Sequence, residues 1–432
     1  MPEESKELRV SSLDRAWPLY GAALMMAISL SMAWTAMPFV LSTMGGTNAH
    51  VGYAPAINTL AYMIALLVTG PRCGHLRARR TSLSAATIAL LATAMMSLCV
   101  LWTESHVAAG GRTWIWTLIV AGGVGGAAMA FYWPFLMSWV SGDYEGVQLN
   151  RRFGRYNGAW SSGGTIGPLI GGWLFEVNAV LPLLVAVAFV LLSLLLLSFG
   201  RDGSASGSGP VRASKKTPNG VTTSPIAYDM RLLADCRWMS RVALFSACAC
   251  YAIVRSQFAL VFTGLGYAES QFGLYLTIYA LCNFAALVAA GRWALWHFKP
   301  GLLFVGQALL LLTLLMTIYG RTLSVFLISS VLLGLAYGFA YSSHLYYGAS
   351  ASKKRSARMA IHEIVISVGL TIGSLAGGYL AEHIGLYAPY WFAVALVGLG
   401  VATQMAIHAG SRARVRVAGP APAADDVEII KP

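Results

Sequence analysis

Charge is scarce in this chain: Asp, Glu, Lys and Arg make up 11% of its 432 residues, where a soluble globular protein carries about 25%. Acids are scarcest, 17 against 30 basic residues, and no Ser, His and carboxylate come together at depth in the apolar runs, which excludes hydrolytic catalysis. No Gly-rich loop ending in Lys-Ser or Lys-Thr is present, so a phosphate cradle for ATP is excluded too. The six cysteines, Cys73, Cys99, Cys236, Cys248, Cys250 and Cys282, lack paired spacing; neither a disulfide framework nor a metal site is expected, and no cofactor. The formal net charge of +13 comes from short basic bursts rather than a long basic face with interleaved aromatics, which excludes nucleic acid as a partner.

What is abundant is apolar length. Hydrophobic residues are 57% of the chain and its mean hydropathy is +0.64. Twelve apolar segments follow one another: 17–41, 51–70, 82–102, 114–140, 156–175, 180–199, 242–262, 272–290, 302–319, 323–346, 359–381 and 388–407. Each is close to the roughly 20 residues a helix needs to cross a bilayer. They are too long for barrel strands and lack period-2 alternation, so the backbone must satisfy its own hydrogen bonds as helix. The fold expected is an all-α membrane protein of twelve transmembrane helices, with lipid as its surroundings.

The chain also repeats itself. TIGPLIGGWLFE (165–176) is answered by TIGSLAGGYLAE (371–382) with no gap; Gly45, Gly52 and Gly70 are answered by Gly266, Gly273 and Gly291; Gly122 and Gly126 by Gly334 and Gly338. Two six-helix halves related by pseudo-symmetry around a central site are the architecture of secondary transporters. The expected divisions are a leader at 1–16, a first half at 17–200, a linker at 201–237, a second half at 238–409 and a disordered tail at 410–432. The linker, RDGSASGSGPVRASKKTPNGVTTSP, is too rich in Ser, Gly, Pro and Lys to bury a core.

Basic residues mark alternate loops. Arg72, Arg77, Arg79 and Arg80, then Arg151 and Arg152, Lys215 and Lys216, Arg292 and Lys299, Lys353, Lys354 and Arg355, and Arg412, Arg414 and Arg416 all fall on the side of the termini, against little more than Arg112 and Arg321 opposite. By the positive-inside rule both termini are cytoplasmic. The first segment follows a mixed-charge leader without a small-residue cleavage site and is expected to stay as a helix.

Two six-helix halves, a cytoplasmic linker and Gly-rich fifth and eleventh helices resemble the major facilitator superfamily, over nearly the whole chain. The most specific piece is GGTIGPLIGG (163–172), similar to the Gly-Pro-Gly-Gly motif of helix 5 in the antiporter branch that exports drugs and other organic solutes. The resemblance implies a secondary transporter of a small organic molecule working by alternating access in a bacterial-type inner membrane, with protons as the candidate coupling ion and a monomer as the working form. It departs from the family in the loop GPRCGHLRARR, where Gly74 stands for the usual Asp and Arg77 for the second Gly. Helix 4 also lacks the internal Arg associated with proton antiport. A non-transporting sensor or assembly protein on the same scaffold stays open.

Charges inside spans are costly and therefore functional candidates. Arg255, in YAIVRSQF, offers a planar fork of donors suited to carboxylate, phosphate or sulfonate, which makes uptake of an organic anion the alternative to export. Around it the sequence supplies Trp34, Asn58, Tyr62, Tyr132, Trp133, Tyr251, Tyr279, Asn283, Tyr337 and His344 as candidate substrate contacts, an apolar wall with a few polar handles. His344 stands where the first half has Tyr132. Glu363, with His362 beside it, is the acid best placed to carry a coupling proton, or else to latch onto Arg72 or Arg77 at the cytoplasmic face. Glu363 and Arg255 are about nine residues apart in depth, ~14 Å of helix rise, too far to pair. Gly163, Gly167, Pro168, Gly171 and Gly172, repeated as Gly373, Gly377 and Gly378, are read as helix-packing positions.

Overall fold

The structure is a computed structural model, describing residues 16–73, 75–105, 111–142, 146–200, 229–351 and 355–418. Most of the leader, most of the linker, Gly74, Lys353, Lys354 and residues 419–432 of the tail lie outside the described residues.

Twelve helices are found among them: α1 Trp17–Thr43, α2 Asn48–Arg72, α3 Ala78–Ser105, α4 Gly111–Ser141, α5 Gly146–Val177, α6 Leu181–Phe199, α7 Met230–Gly264, α8 Glu269–Arg292, α9 Pro300–Tyr319, α10 Leu323–Ala349, α11 Arg355–His383 and α12 Ala388–Ala418. Eleven are long and apolar enough to cross a membrane. The twelfth, α5, contains Arg151, Arg152 and Arg155 in its first turns and is rich in Gly and Ser, which lowers its hydropathy without shortening it.

Several helices outrun their apolar segments. α7 begins inside the expected linker because the Asp229 carboxylate accepts from the backbone N–H of Arg231 (2.9 Å) and Leu232 (3.2 Å), an N-cap, and because Leu233 and Cys236 bury against Trp296 and Tyr347. α12 likewise runs on to Ala418, into the expected tail. Hydropathy marks only the stretch that lipid surrounds, whereas caps and packing set helix ends.

Each half is built on the same crossings: α1 packs on α5 and α2 on α4, as α7 packs on α11 and α8 on α10. The Gly motif makes the first crossing close. A Cβ on Gly163, Gly167 or Gly171 would lie 2.6, 2.7 or 2.5 Å from the carbonyl oxygens of Leu24, Ile28 and Met32, one per turn of α1. In the second half the same seam is Gly369, Gly373 and Gly377 against α7 at Phe245, Ala249 and Ile253. Backbones this close leave no void, and packing without voids holds helices together where lipid supplies no hydrophobic drive.

The halves meet through two further crossings, α2 with α11 and α5 with α8. A Cβ on Gly52 would lie 2.6 Å from the Gly378 Cα, and one on Gly273 would lie 2.5 Å from the Pro168 carbonyl oxygen. Gly172 is equally tight against Ser270, with 2.9 Å to its Cα. The repeat thus pairs not only residues but contacts: Gly52 answers Gly273, and Gly378 answers Gly172. The turns before α2 and α8 are equivalent too, each using a left-handed glycine, Gly45 (φ 77°) and Gly266 (φ 86°), which other residues resist.

Candidate functional site

Several bonds join the halves on the face opposite the chain termini and at mid-depth of the helices. The Asn48 side-chain amide donates to the Ala381 carbonyl (3.4 Å), Gln257 Nε2 donates to the Asn48 carbonyl (3.4 Å), the Ser270 N–H donates to Glu176 Oε1 (2.8 Å) and the Thr277 hydroxyl donates to the Thr165 carbonyl (3.1 Å). On the terminal face, α4 and α5 make no substantial contact with α10 or α11. The molecule is therefore closed at one face and parted at the other.

Between the halves, just inside the closed face, lies a small cavity, about 60 Å³ of water-accessible space, walled by α1, α2, α7 and α11. Arg255, Tyr251, Trp34 and Asn58 line it together with Pro38 and Ser374. Arg255 sits in a five-residue π turn of α7, Val254–Phe258. Such a turn widens the helix by one residue and is frequent at functional sites. Its neighbour in that turn, Gln257, faces the closed gate, with its side chain against Gly377. The Arg255 guanidinium lies 5.9 Å from the centre of the Tyr251 ring, and among the described residues no Asp or Glu pairs with it. An unpaired cation in a cavity wall between membrane helices is the observation on which the site turns.

The family model that matches is that of the Major Facilitator Superfamily, over residues 19–263 and 242–425. The chain belongs to this superfamily. It is a membrane transporter and not an enzyme. Solved structures with the same fold include a bacterial homolog to the human lysosomal transporter Spinster, inward-facing and occupied (TM-score 0.62, 12% identity, 94% of this chain and 98% of that one). The nucleoside transporter NupG (TM-score 0.67, 12% identity, 92% and 99%) and a POT family transporter in complex with a thioalcohol-conjugated peptide (TM-score 0.65, 13% identity, 92% and 96%) are similar as well. No curated protein sequence matches the chain.

In this superfamily member the other candidate residues divide into three groups. Tyr251 stacks on Tyr279 at 4.5 Å between ring centroids, and Tyr337 stands edge-on to both, at 5.5 and 5.9 Å. This aromatic trio continues the Arg255 wall from α7 to α8 and α10, and Tyr279 is near enough to feel the Arg255 charge. Asn58 and Asn283 hold equivalent crossings: the Asn58 side chain donates to the Gly122 carbonyl (2.8 Å), while Asn283 packs on Gly338 with its Oδ1 buried and unpartnered.

Tyr132 does not reach the cavity. It is fully buried, and its hydroxyl is bonded to the Ala22 carbonyl (3.1 Å) and Ser193 Oγ (2.9 Å), tying α4 to α1 and α6. A phenol has to find a partner when buried, and the sequence showed no sign that Ser193 would supply it. Trp133 packs edge-on against Tyr132 (5.0 Å) and Trp160 (6.4 Å), away from the Arg255 wall. Neither lines the Arg255 cavity, whereas Thr59, Ser256, Pro38 and Ser374 do. Ser374 was legible as the counterpart of Pro168 in the repeat.

Glu363 is half-buried and lies near Tyr62 of α2, Tyr341 of α10 and Cys248 of α7. Arg72 and Arg77 are exposed, and no ion pair joins either of them to Glu363 in this conformation. The register of α2 against α11 is set by Gly52 with Gly378, Asn48 with Ala381, and Thr59 with Thr371, whose hydroxyls are 3.3 Å apart. The His362 Nδ1 is 2.7 Å from the Nδ1 of His344.

Proposed function

We propose that the protein moves a small organic anion across a bacterial-type cytoplasmic membrane by alternating access, with Arg255 as the counter-charge and Trp34, Pro38 and Tyr251 as the wall for the apolar body. The observation that supports this is the unpaired guanidinium in the cavity. A fork of donors in a low-dielectric site favours carboxylate, phosphate or sulfonate, and an aromatic face beside it suits a flat or branched body. The Gly-Pro-Gly-Gly motif, which resembles that of organic-solute exporters, is occupied by packing on α1 and α8, so it says little about the solute. Basic loops crowd the terminal face, which makes that face cytoplasmic and the conformation inward-open.

The test is flux in proteoliposomes. A panel of labelled monoanions and their neutral amides or esters should separate by about 100-fold in competition, because a half-buried cation without a protein partner discriminates against a neutral isostere. Equal competition by the neutral compounds would remove Arg255 from the substrate site.

Glu363 is the candidate proton carrier of this cycle. Its neighbours are phenols and a thiol, and among the described residues no ion pair joins it to Arg72, which speaks for a carrier over a latch. Glu363→Gln is expected to lower pH-gradient-driven transport by about tenfold or more while solute exchange at equal pH stays within about twofold. Loss of exchange together with a change in cytoplasmic accessibility would point back to the latch.

A further inference from the structure

The pair His344–His362 has no role in the site described so far. His344 is on α10 and His362 on α11, both almost fully buried at 3% and 2% exposure. Their rings lie 4.9 Å apart in a near-parallel stack, with Nδ1 to Nδ1 at 2.7 Å. His362 Nε2 is buried without a partner, and the Tyr341 ring stands edge-on to His362 at 4.6 Å. The other groups facing the pair are Arg241 of α7, whose charge reaches His344, with Arg237 and Arg358 close to Arg241; Glu363, the next residue of α11, lies toward Tyr62 and Cys248. Among the described residues no third ligand completes a metal site.

The contact itself constrains the protons. Two Nδ1 atoms 2.7 Å apart need one hydrogen between them. Two neutral rings meet that need, one donating and one accepting, and so do two rings sharing one extra proton. With a second extra proton both Nδ1 atoms carry hydrogen, each faces a donor, and the rings must part. Position by position in the repeat, His344 answers Tyr132 and His362 answers Tyr156, and those two tyrosines are also neighbours. Phenols do not gain a proton near neutral pH. The second half therefore has two titratable rings in contact where the first half has two neighbouring phenols.

We propose that His344 and His362 form a proton-operated clasp that holds α11 to α10 in the terminal-face-open conformation, and that a second proton releases it. α11 carries Glu363 one residue beyond the clasp and Gly378 at the closed gate, so freeing its terminal-face half moves the element that both sites share. The clasp rests on the two-state reading above but not on the identity of the solute.

The experiment needs no substrate. The whole protein, labelled with spin probes at Met137 on α4 and Leu345 on α10, is compared at about pH 8 and about pH 4, because buried imidazoles beside a cation gain protons below the ordinary range. Wild type is expected to shift its distance distribution on acidification. His344→Asn and His362→Asn, whose amides replace the Nδ1 hydrogen bond without titrating, are expected to keep the distribution seen at high pH at both values. Spectra of ¹⁵N-histidine protein should show the Nδ1 signals of His344 and His362 changing together in wild type. A pH shift that survives in both Asn variants overturns the proposal, as does one that vanishes only in Glu363→Gln. Independent titration of the two imidazoles overturns it as well. Absence of anion flux in wild type would count against the transport reading alone and leave the clasp measurable.

Discussion

Gly52→Val is expected to abolish transport and to drive the protein out of the conformation described here. A Cβ at residue 52 would lie 2.6 Å from the Gly378 Cα and 2.8 Å from the Gly378 nitrogen. These are backbone atoms, so no side chain can turn aside and α2 must part from α11. Overpacking of this kind costs about 1–3 kcal/mol, which is a shift of about 5- to 150-fold in a two-state equilibrium. The cost falls only on the state in which this crossing is closed, so the population moves to the state open at the opposite face. Gly273→Val should do the same through α5 and α8, where the obstacle is the Pro168 carbonyl at 2.5 Å. Combined, the two should add little, because prying one crossing apart already opens the gate. Gly264→Val, with nothing within 4 Å of its Cβ position, is the control. Spin-label distances between Thr43 and Ile384, both exposed at the closed face, should lengthen in the first two variants and stay unchanged in the third. An unchanged distance in Gly52→Val would mean that the close crossing is not what holds that face shut.

Arg255→Ala is expected to remove substrate binding with the fold intact. Truncating one member of a buried, charge-assisted pair costs about 3 kcal/mol, about 100-fold in affinity. Arg255→Lys keeps the charge and loses the planar fork, so it should retain binding at about a tenth of wild-type affinity and discriminate less well among planar anions. Because no acid is paired with Arg255 in the solute-free cavity, the alanine variant leaves no orphaned carboxylate behind. Its thermal stability should stay near that of wild type in the absence of solute. Stabilisation by the transported anion, measured as a rise in melting temperature, should be present in wild type, reduced in Arg255→Lys and gone in Arg255→Ala. Equal stabilisation of all three would make the arginine a structural residue of the π turn.

The internal repeat shows how far sequence reaches into such a site. Matched glycines stand at matched crossings because a close approach of two backbones leaves a signature at one position, whatever surrounds it. Gly52 and Gly273, or Gly172 and Gly378, could be paired from spacing alone. Partners of polar side chains leave no such mark. Tyr132 and His344 are equivalent in the chain, yet one is consumed by Ala22 and Ser193 inside the first half and the other by His362. Each partner lies on another helix, and nothing in either local sequence names it.

The sequence by itself determined the membrane class, the division into two six-helix halves, the basic face and the presence of a lone arginine at depth. These follow from composition, length and periodicity, which act residue by residue along the chain. Only the tertiary structure decided which face is shut, that the π turn at Val254–Phe258 brings Arg255 to the cavity and Gln257 to the gate, that Glu363 sits at Tyr62 instead of Arg72, and that two histidines meet Nδ1 to Nδ1. Those features depend on the rotation and register of one helix against another. In a bilayer, packing between distant segments sets both, because lipid is indifferent to which apolar face a helix presents.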